Sequence, residues 1–248
     1  ELARTINRML DRLQYSFVRQ RDFLFDTSHE LKTPLTTMRL AVDDICSCDG
    51  EILPSFVRDK LLRLNSQVLR MERLVKDLLN LSSLETLTGI DPKPVQITEL
   101  LSSLAEEYKF LADAQNIKMD IRLPRQLVIQ GDGEKLYRAF SNILDNAVKY
   151  NVDGGQIELT CDQSAAELTV TVANTGPGVA EAEIPRVFDQ FYRVDKSRST
   201  QNGGSGLGLA IVKRIVELHN GKINFESKQE TCTRVTVSLP LIQDTVLA

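Results

Sequence analysis

One of the two histidines in this 248-residue chain lies directly beside a carboxylate, in the run FDTSHELKTPL from Phe25 to Leu35. His29 and Glu30 are neighbours in a stretch whose apolar residues recur at helical spacing. An imidazole with an acidic neighbour to take up its proton can act as a nucleophile toward a phosphoryl group. This chemistry requires a phosphoryl donor, so we expect a nucleotide site elsewhere in the chain.

Two asparagines in the run NILDNAVKY lie four residues apart, on one face of a predicted helix over Gly133–Tyr150. The carboxamide oxygens of Asn142 and Asn146 are suitable Mg²⁺ ligands. Lys149 follows Asn146 by three residues, near enough to meet a phosphate. Taken alone, however, this pattern is more typical of a helix with a polar surface.

Two glycine-rich segments complete the candidate site. Asn174–Gly178 (NTGPG) follows a predicted strand, and its glycines allow the backbone to approach a flat ligand closely. Gly203–Ala210 (GGSGLGLA) opens a helix, where free N–H groups and the helix dipole favour a phosphate. The second segment matches neither a Walker A loop nor a dinucleotide fingerprint. The three segments in this order indicate a nucleotide site more specifically than any one of them does alone.

Composition excludes several other functions. A formal net charge of −4 and a pI of about 5.4 argue against a general nucleic-acid or anionic-membrane binder. A zinc site is disfavoured because Cys46 and Cys48 have no second pair nearby, while Cys161 and Cys232 are isolated. No apolar run reaches the roughly 18 residues of a membrane span.

The residues up to about Leu84 have helical periodicity throughout. Apolar residues lie three or four apart at Leu31, Leu35, Met38, Val42 and Ile45, and again at Leu61, Leu64, Val68, Met71, Val75 and Leu78. The break at Asp49-Gly50 predicts two long helices in an antiparallel hairpin. A lone hairpin cannot bury both stripes, so we expect a homodimer that forms a four-helix bundle. The alternative is a monomeric hairpin packed on the rest of the chain.

The second half of the chain has mixed periodicity. A turn-rich linker over Thr86–Val95 precedes helices over Thr98–Ala114, Gly133–Tyr150 and Gly206–Leu218. Alternating apolar residues predict strands around Ile117–Ile121, Ile157–Cys161, Leu168–Val172, Ile223–Phe225 and Val235–Leu239. Because helices and strands are grouped and do not alternate strictly, an α/β sandwich with a mixed sheet fits better than a Rossmann fold.

The run SHELKTPL resembles the H box of the sensor histidine kinases of two-component systems. The three segments above resemble their N, G1 and G2 boxes, and Phe188–Arg193 (FDQFYR) resembles their F box. The resemblance covers essentially the whole chain. It implies a helical-hairpin dimerisation domain, followed by an α/β sandwich ATP-binding domain of the histidine kinase/topoisomerase/chaperone type.

The resemblance also implies domain boundaries. Residues 1–20 would end a HAMP-like signalling helix, 21–86 would form the dimerisation and phosphotransfer domain, 87–96 a linker, and 97–245 the catalytic domain. A HAMP relay follows a membrane span in such proteins. The chain would then be the cytoplasmic part of a plasma-membrane sensor, anchored only through segments that precede it.

In this family His29 would be the phosphoacceptor, and Glu30 would orient its imidazole and accept its proton. Thr33, one turn further along the same helix face, would position a water for dephosphorylation of the partner. That partner would be the receiver domain of a cognate response regulator. The alternative for Thr33 is an ordinary helix-surface threonine.

The same resemblance implies the cofactors ATP and Mg²⁺. Asn146, with help from Asn142, would hold the metal. The remaining nucleotide-binding residues would be Lys149, Tyr150, Asn174, Gly176, Gly178, Arg193, Gly204, Gly206, Leu207 and Gly208. The polar stretch between Tyr192 and Gly203 would act as a lid.

One residue departs from the family pattern. The usual aspartate that accepts a hydrogen bond from the adenine amino group is here Asn174, a neutral and weaker acceptor. With the other motifs intact, the leading hypothesis is an autokinase that passes its phosphoryl group to a response regulator. One alternative is a nucleotide-binding regulatory dimer that acts mainly as a phosphatase or scaffold. A topoisomerase- or chaperone-type ATPase fits poorly, because those enzymes place a glutamate where Asn142 stands.

Overall fold

The computed structural model describes residues 31, 35–43, 45, 55–194 and 205–241. These residues divide into two compact units, one that extends to Thr86 and includes Ser205, and one that begins at Leu87. Within the described ranges, no helix combines the length and apolar character needed to cross a bilayer.

The first unit contains a helical segment over 35–43 and a long helix α1 over Ser55–Thr86. Arg39 forms an ion pair with Glu72 at 3.2 Å, and Asn65 donates a hydrogen bond to Asp43 at 3.3 Å. The later residue of the first segment, Asp43, contacts the earlier residue of α1, Asn65, so the two helices run antiparallel. This direction agrees with the predicted hairpin, whose turn lies outside the described residues.

The hairpin covers only half of its apolar stripe. Leu35, Val42 and Val68 are 3%, 4% and 3% exposed. Met38 and Met71, which belong to the same periodic stripes, are 54% and 47% exposed. Two helices packed side by side therefore leave a second apolar face, and Leu31, Ile45 and Leu64 extend it.

The second unit is a mixed sheet backed by helices. Its helices are α2 Ile97–Asp113, α3 Gly133–Lys149 and α4 Gly208–Leu218, and a 3₁₀ turn spans Glu181–Arg186. Its strands are β1 Lys93–Gln96, β2 Lys118–Arg122, β3 Val128–Gly131, β4 Gln156–Gln163, β5 Glu167–Thr175, β6 Lys222–Lys228 and β7 Cys232–Pro240. These bounds lie within about two residues of most of the predicted ones.

Five strands form the main sheet in the order β2-β4-β5-β7-β6. Strands β2 and β4 are parallel, and the other three pairs are antiparallel. Alternate residues of β5, such as Leu168, Val170 and Val172, are buried because successive side chains point to opposite faces. The predicted α/β sandwich with a mixed sheet is confirmed.

A separate two-stranded sheet was not predicted. Strand β1 lies inside the predicted linker 87–96 and pairs antiparallel with β3, so that Lys93 faces Gly131 and Gln96 faces Val128. Both strands are only four residues long, and a proline such as Pro94 is more typical of a loop than of a strand. The structured part of the unit therefore begins at Lys93, earlier than predicted.

Candidate functional site

Helix α3 presents the two asparagines toward the candidate pocket because its other face is apolar and buried. The buried residues of α3 are Leu136, Ala139, Phe140, Ile143, Leu144, Ala147 and Val148. At its start, the Asp132 side chain accepts a hydrogen bond from the backbone N–H of Lys135, as an N-cap should. Asn142 and Asn146 lie one turn apart and are both half-buried.

Asn142 lies against the beginning of α4. Its Nδ2 is buried and has no hydrogen-bond partner among the described residues. A Cβ placed on Gly208, the first residue of α4, would lie 3.9 Å from the Asn142 Oδ1. The residue before it, Leu207, is fully buried and provides no side-chain cap for the first turn of α4. The unpaired Asn142 amide therefore lies beside a helix N-terminus that has no side-chain cap. Both groups offer N–H donors of the kind that bind an anionic ligand.

Tyr150 and its neighbours form a cationic and aromatic wall. The Lys149 Nζ lies 4.9 Å from the centroid of the Tyr150 ring. Burial raises the pKa of Tyr150, the charge of Arg193 opposes that rise, and Asp145 adds to it. The phenol is therefore neutral at physiological pH. Arg193 thus lies close enough to Tyr150 to act on its proton equilibrium, although the two are far apart in sequence.

The loop after β5 carries Asn174, which is 8% exposed. Its Nδ2 donates a hydrogen bond to the Thr175 carbonyl oxygen at 2.7 Å. Gly176 must lack a side chain, because a Cβ there would collide with the carbonyl oxygen of Tyr150. Gly178, in the same loop, faces the backbone of Lys228 at the end of β6. Asn174 and Tyr150 are therefore both neighbours of Gly176.

Gly206 lies in the left-handed region, with φ of 73°, which favours glycine. Its carbonyl oxygen accepts a hydrogen bond from the Phe191 N–H at 2.9 Å. The segment Phe188–Arg193 is itself fixed at Phe188, whose ring meets the Phe225 ring edge-on with 6.3 Å between centroids. The F-box-like segment therefore holds the backbone where the glycine loop enters α4.

Several residues predicted for the nucleotide site are neighbours among the described residues: Gly176 lies beside Tyr150, Gly208 beside Asn142, and Lys149 beside Tyr150. They belong to helix α3, the loop after β5 and the start of α4. Of the other predicted site residues, His29, Glu30, Thr33 and Gly204 lie outside the described residues. Their roles stay predictions.

Reasoning from the sequence missed Asn151 and Thr175, which hydrogen-bond each other at 2.7 Å beside the pocket. They are 24 residues apart and each looks like an ordinary turn or strand-end residue. Nothing in their spacing pointed to a contact. The only available signal was their adjacency to Tyr150 and Asn174.

The second histidine, His219, has a structural position at the end of α4. It is 6% exposed and follows the end of α4. Its Nε2 accepts a hydrogen bond from the Asp132 N–H at 3.0 Å, and its Nδ1 donates to the Ile215 carbonyl oxygen, 2.7 Å away. Burial lowers its pKa and so favours the neutral ring, which is the only form that can accept at Nε2 while Nδ1 donates. His219 therefore joins the end of α4 to the start of α3.

The residues present fit a nucleoside triphosphate with a divalent cation. The buried, unpaired Asn142 Nδ2 could donate to a phosphate oxygen, and the first-turn amides of α4 could do the same. The Asn146 carboxamide is an oxygen ligand of the kind that Mg²⁺ uses. Lys149 lies one turn beyond Asn146, where a phosphate could meet it.

Two family models match the chain. The model of the "Histidine kinase-, DNA gyrase B-, and HSP90-like ATPase" domain matches residues 131–243. The model of the "His Kinase A (phospho-acceptor) domain" matches residues 19–87. The first match covers the site described above and makes the second unit a member of an ATP-binding domain family.

Curated relatives include the signal transduction histidine-protein kinase BaeS of Escherichia coli, which is 33% identical over 98% of this chain and 52% of its own length. The sensor histidine kinase WalK of Bacillus subtilis is 35% identical over 89% of this chain and 36% of its own length. The chain thus spans about half or less of the length of these relatives.

Solved structures give the same assignment. The mycobacterial sensor histidine kinase MprB is 30% identical with a TM-score of 0.54, covering 60% of this chain and 98% of that one. Full-length ShkA, solved in complex with AMPPNP, is 26% identical with a TM-score of 0.70, covering 89% of this chain and 46% of that one. The chain belongs to the sensor histidine kinases of two-component systems.

Proposed function

We propose that this chain is an ATP-dependent protein-histidine kinase that autophosphorylates His29 and passes the phosphoryl group to an aspartate of a response regulator. The observation that carries the proposal is the buried, unpaired Asn142 amide beside the start of α4. A polar group left buried without a partner is costly, and a nucleotide phosphate would relieve that cost. The match to the phospho-acceptor domain over residues 19–87 supports His29 as the acceptor.

In the proposed reaction a ring nitrogen of His29 forms a bond to the γ-phosphorus while the bond to the β–γ bridging oxygen breaks and ADP leaves. Glu30 orients the imidazole and takes up its proton. Asn142, Lys149 and the first turn of α4 hold the phosphates. Mg²⁺, held by Asn146, would neutralise charge on the transferred group.

The proposed protein acts as a homodimer. The hairpin leaves Met38, Met71 and their heptad neighbours exposed, and a second copy presents the same apolar face. A bundle of four helices would then bury the apolar face that a hairpin of two helices leaves exposed. Thr33, on the helix of His29, would support dephosphorylation of the response regulator. Membrane anchoring would come from segments outside this chain.

The test is incubation of the chain with γ-labelled ATP and Mg²⁺. We expect protein-bound label that is acid-labile and alkali-stable, as a phosphohistidine is. His29→Gln should abolish it. His219→Gln is the matched control, because His219 is the only other histidine, and it should retain acid-labile label. Label that persists in His29→Gln would contradict the proposed acceptor.

Asn174 favours a second candidate, a regulatory dimer that binds nucleotide but transfers phosphoryl slowly and acts mainly as a phosphatase or scaffold. The neutral amide makes a weaker contact with adenine than a carboxylate would. Tight ATP binding with no label on His29, together with faster loss of label from a phosphorylated receiver domain, would favour this candidate over the kinase.

A further inference from the structure

Asn151, just beyond α3, has a carboxamide whose four hydrogen-bonding positions are all used. Its Nδ2 donates to the carbonyl oxygens of Ala147 at 3.2 Å and Gln156 at 3.1 Å. Its Oδ1 accepts from the Val152 N–H at 2.9 Å and the Thr175 hydroxyl at 2.7 Å. A primary amide offers two donors and two acceptor positions, so this side chain is fixed in orientation.

Thr175 continues the connection toward the nucleotide pocket. Besides donating to Asn151, its hydroxyl accepts a hydrogen bond from the Gln156 N–H at 2.8 Å. The packing is tight, because a Cβ on Gly155 would lie 2.5 Å from this hydroxyl oxygen. The end of α3, the start of β4 and the end of β5 are thereby tied together at one point.

The backbone of Thr175 in turn orients Asn174. The Thr175 carbonyl oxygen accepts a hydrogen bond from the Asn174 Nδ2 at 2.7 Å. A carbonyl oxygen cannot donate, so the NH₂ group of Asn174 stays on this side. The Asn174 oxygen, which has no partner among the described residues, is left as the acceptor for a ligand.

This orientation matters because an asparagine, unlike an aspartate, can present either a donor or an acceptor. The 6-amino group of adenine requires an acceptor, whereas the 6-oxo group of guanine requires a donor. We propose that Asn151 and Thr175 are positioning residues that hold the Asn174 carboxamide with its oxygen toward the nucleotide, so that the site prefers a 6-aminopurine over a 6-oxopurine. This inference rests on the proposed function, which places ATP in this pocket.

The test is Thr175→Val, which keeps the side-chain shape and removes the hydroxyl. We expect the ATP concentration that gives the half-maximal rate of autophosphorylation to rise roughly three- to tenfold, as for the loss of one or two hydrogen bonds. The GTP concentration that gives the half-maximal rate should change less than about twofold, because GTP has no 6-amino group and so does not make the weakened hydrogen bond. The maximal rate constant should stay within about twofold, since the phosphate contacts are untouched.

Two further variants separate positioning from general structure. Thr175→Ser restores the hydroxyl and should return the ATP dependence to that of the wild type. Thr171→Val makes the same substitution on the same face of β5. Its hydroxyl contacts the Thr236 hydroxyl at 3.4 Å, away from Asn151, so this variant should leave the ATP dependence unchanged. An unchanged ATP dependence in Thr175→Val, or an equal rise in Thr171→Val, would overturn the inference.

Calorimetric titration with a non-hydrolysable ATP analogue keeps the test independent of catalysis and of folding losses. Asn151→Asp keeps the acceptor for Thr175 but loses both donated hydrogen bonds, so its affinity for the analogue should fall while its affinity for the GTP counterpart changes little. Equal loss for both nucleotides would contradict the inference. If the wild-type chain bound the analogue but never labelled His29, the proposed kinase activity would fail, and these affinities alone would decide the role of Asn151 and Thr175.

Discussion

Asn142 and Asn174 are both asparagines of the proposed nucleotide pocket, but the hydrogen bonds around them differ. The Asn142 Nδ2 is buried without a partner among the described residues, so we propose that it donates to a ligand. The Asn174 Nδ2 is already bonded to Thr175, so its oxygen is the available group. Residue type alone indicated two polar contacts, and only the hydrogen-bond pattern distinguishes donor from acceptor.

Replacing Asn174 with aspartate should preserve or tighten ATP binding. A carboxylate makes a stronger, charge-assisted hydrogen bond to the adenine amino group, while the lost donation to Thr175 costs about 1 kcal/mol. Calorimetric titration of Asn174→Asp and Asn174→Ala with the ATP analogue checks this. The alanine variant should bind more weakly than the wild type by roughly tenfold or less. An aspartate variant weaker than the alanine variant would show that Asn174 does not act as the acceptor.

Motif residues of the pocket could be predicted because the glycines and asparagines of three separate segments follow one another in a specific order. In the second unit Gly176 lies against the Tyr150 backbone and Gly208 lies beside Asn142. Asn151 and Thr175 could not be predicted, since a hydrogen bond between polar side chains 24 residues apart leaves no periodic signal. The fold had to bring β4 and β5 together first.

Helices α3 and α4 are joined at both ends of their contact. At one end Asn142 lies beside Gly208, and at the other His219 accepts the hydrogen bond from Asp132. Asp132 also caps α3 and forms an ion pair with Lys135. The contact between His219 and Asp132, at the end away from Asn142, therefore helps to position both walls of the proposed phosphate site.

Stability of the second unit should fall in mild acid because of His219. Burial, the largest cause, and Lys135 lower its pKa below the ordinary 6.5, whereas Ile215 and Asp132 oppose this. As the pH falls, the unfolded chain therefore binds a proton first. Stability is full above about pH 6.5 and declines as the pH falls through the folded-state pKa. Urea unfolding at several pH values checks this.

The matched variant is His219→Gln. It should be less stable at pH 7.5 by about 1 to 3 kcal/mol, since the buried contacts of the imidazole are lost. The decline of the wild type between pH 7.5 and 5.5 should exceed that of the variant. Identical pH profiles for the two proteins would show that the imidazole is not held neutral.

Gly206→Ala should weaken ATP binding by about tenfold or more. A Cβ at a φ of 73° is strained and would lie 2.9 Å from the Phe191 carbonyl carbon, so the loop entering α4 must shift. Gly89→Ala is the control, because a Cβ there meets no atom within 4 Å. Titration of both variants with the ATP analogue measures the difference. Wild-type affinity in Gly206→Ala would contradict the role of this loop.

Element prediction succeeded where patterns were long. Strands β4 and β5, of eight and nine residues, alternate apolar and polar side chains clearly. Strands β1 and β3, of four residues, were missed because Pro94 and Gly131 are turn residues by propensity, and only their mutual pairing makes them strands. Short strands are specified by tertiary contacts that no local pattern displays.

The apolar face left by the hairpin makes a prediction about the whole assembly. Met38→Glu combined with Met71→Glu should convert the proposed dimer to monomer, because burying carboxylates between chains costs several kcal/mol. Ser66→Glu, on the opposite side of α1, is the control and should stay dimeric. Light scattering after size-exclusion chromatography distinguishes the outcomes. A dimer in the double variant would place the interface elsewhere.

The order of strands in the main sheet also bears on how this protein behaves at high concentration. Strands β2 and β6 lie at the two edges, where unpaired backbone groups could recruit another chain. The exposed positions of β2 are Lys118, Asp120 and Arg122, and those of β6 include Lys222 and Lys228. Charges of this kind oppose edge-to-edge addition of strands. We therefore expect the second unit to resist fibrillar aggregation when stored or crystallised.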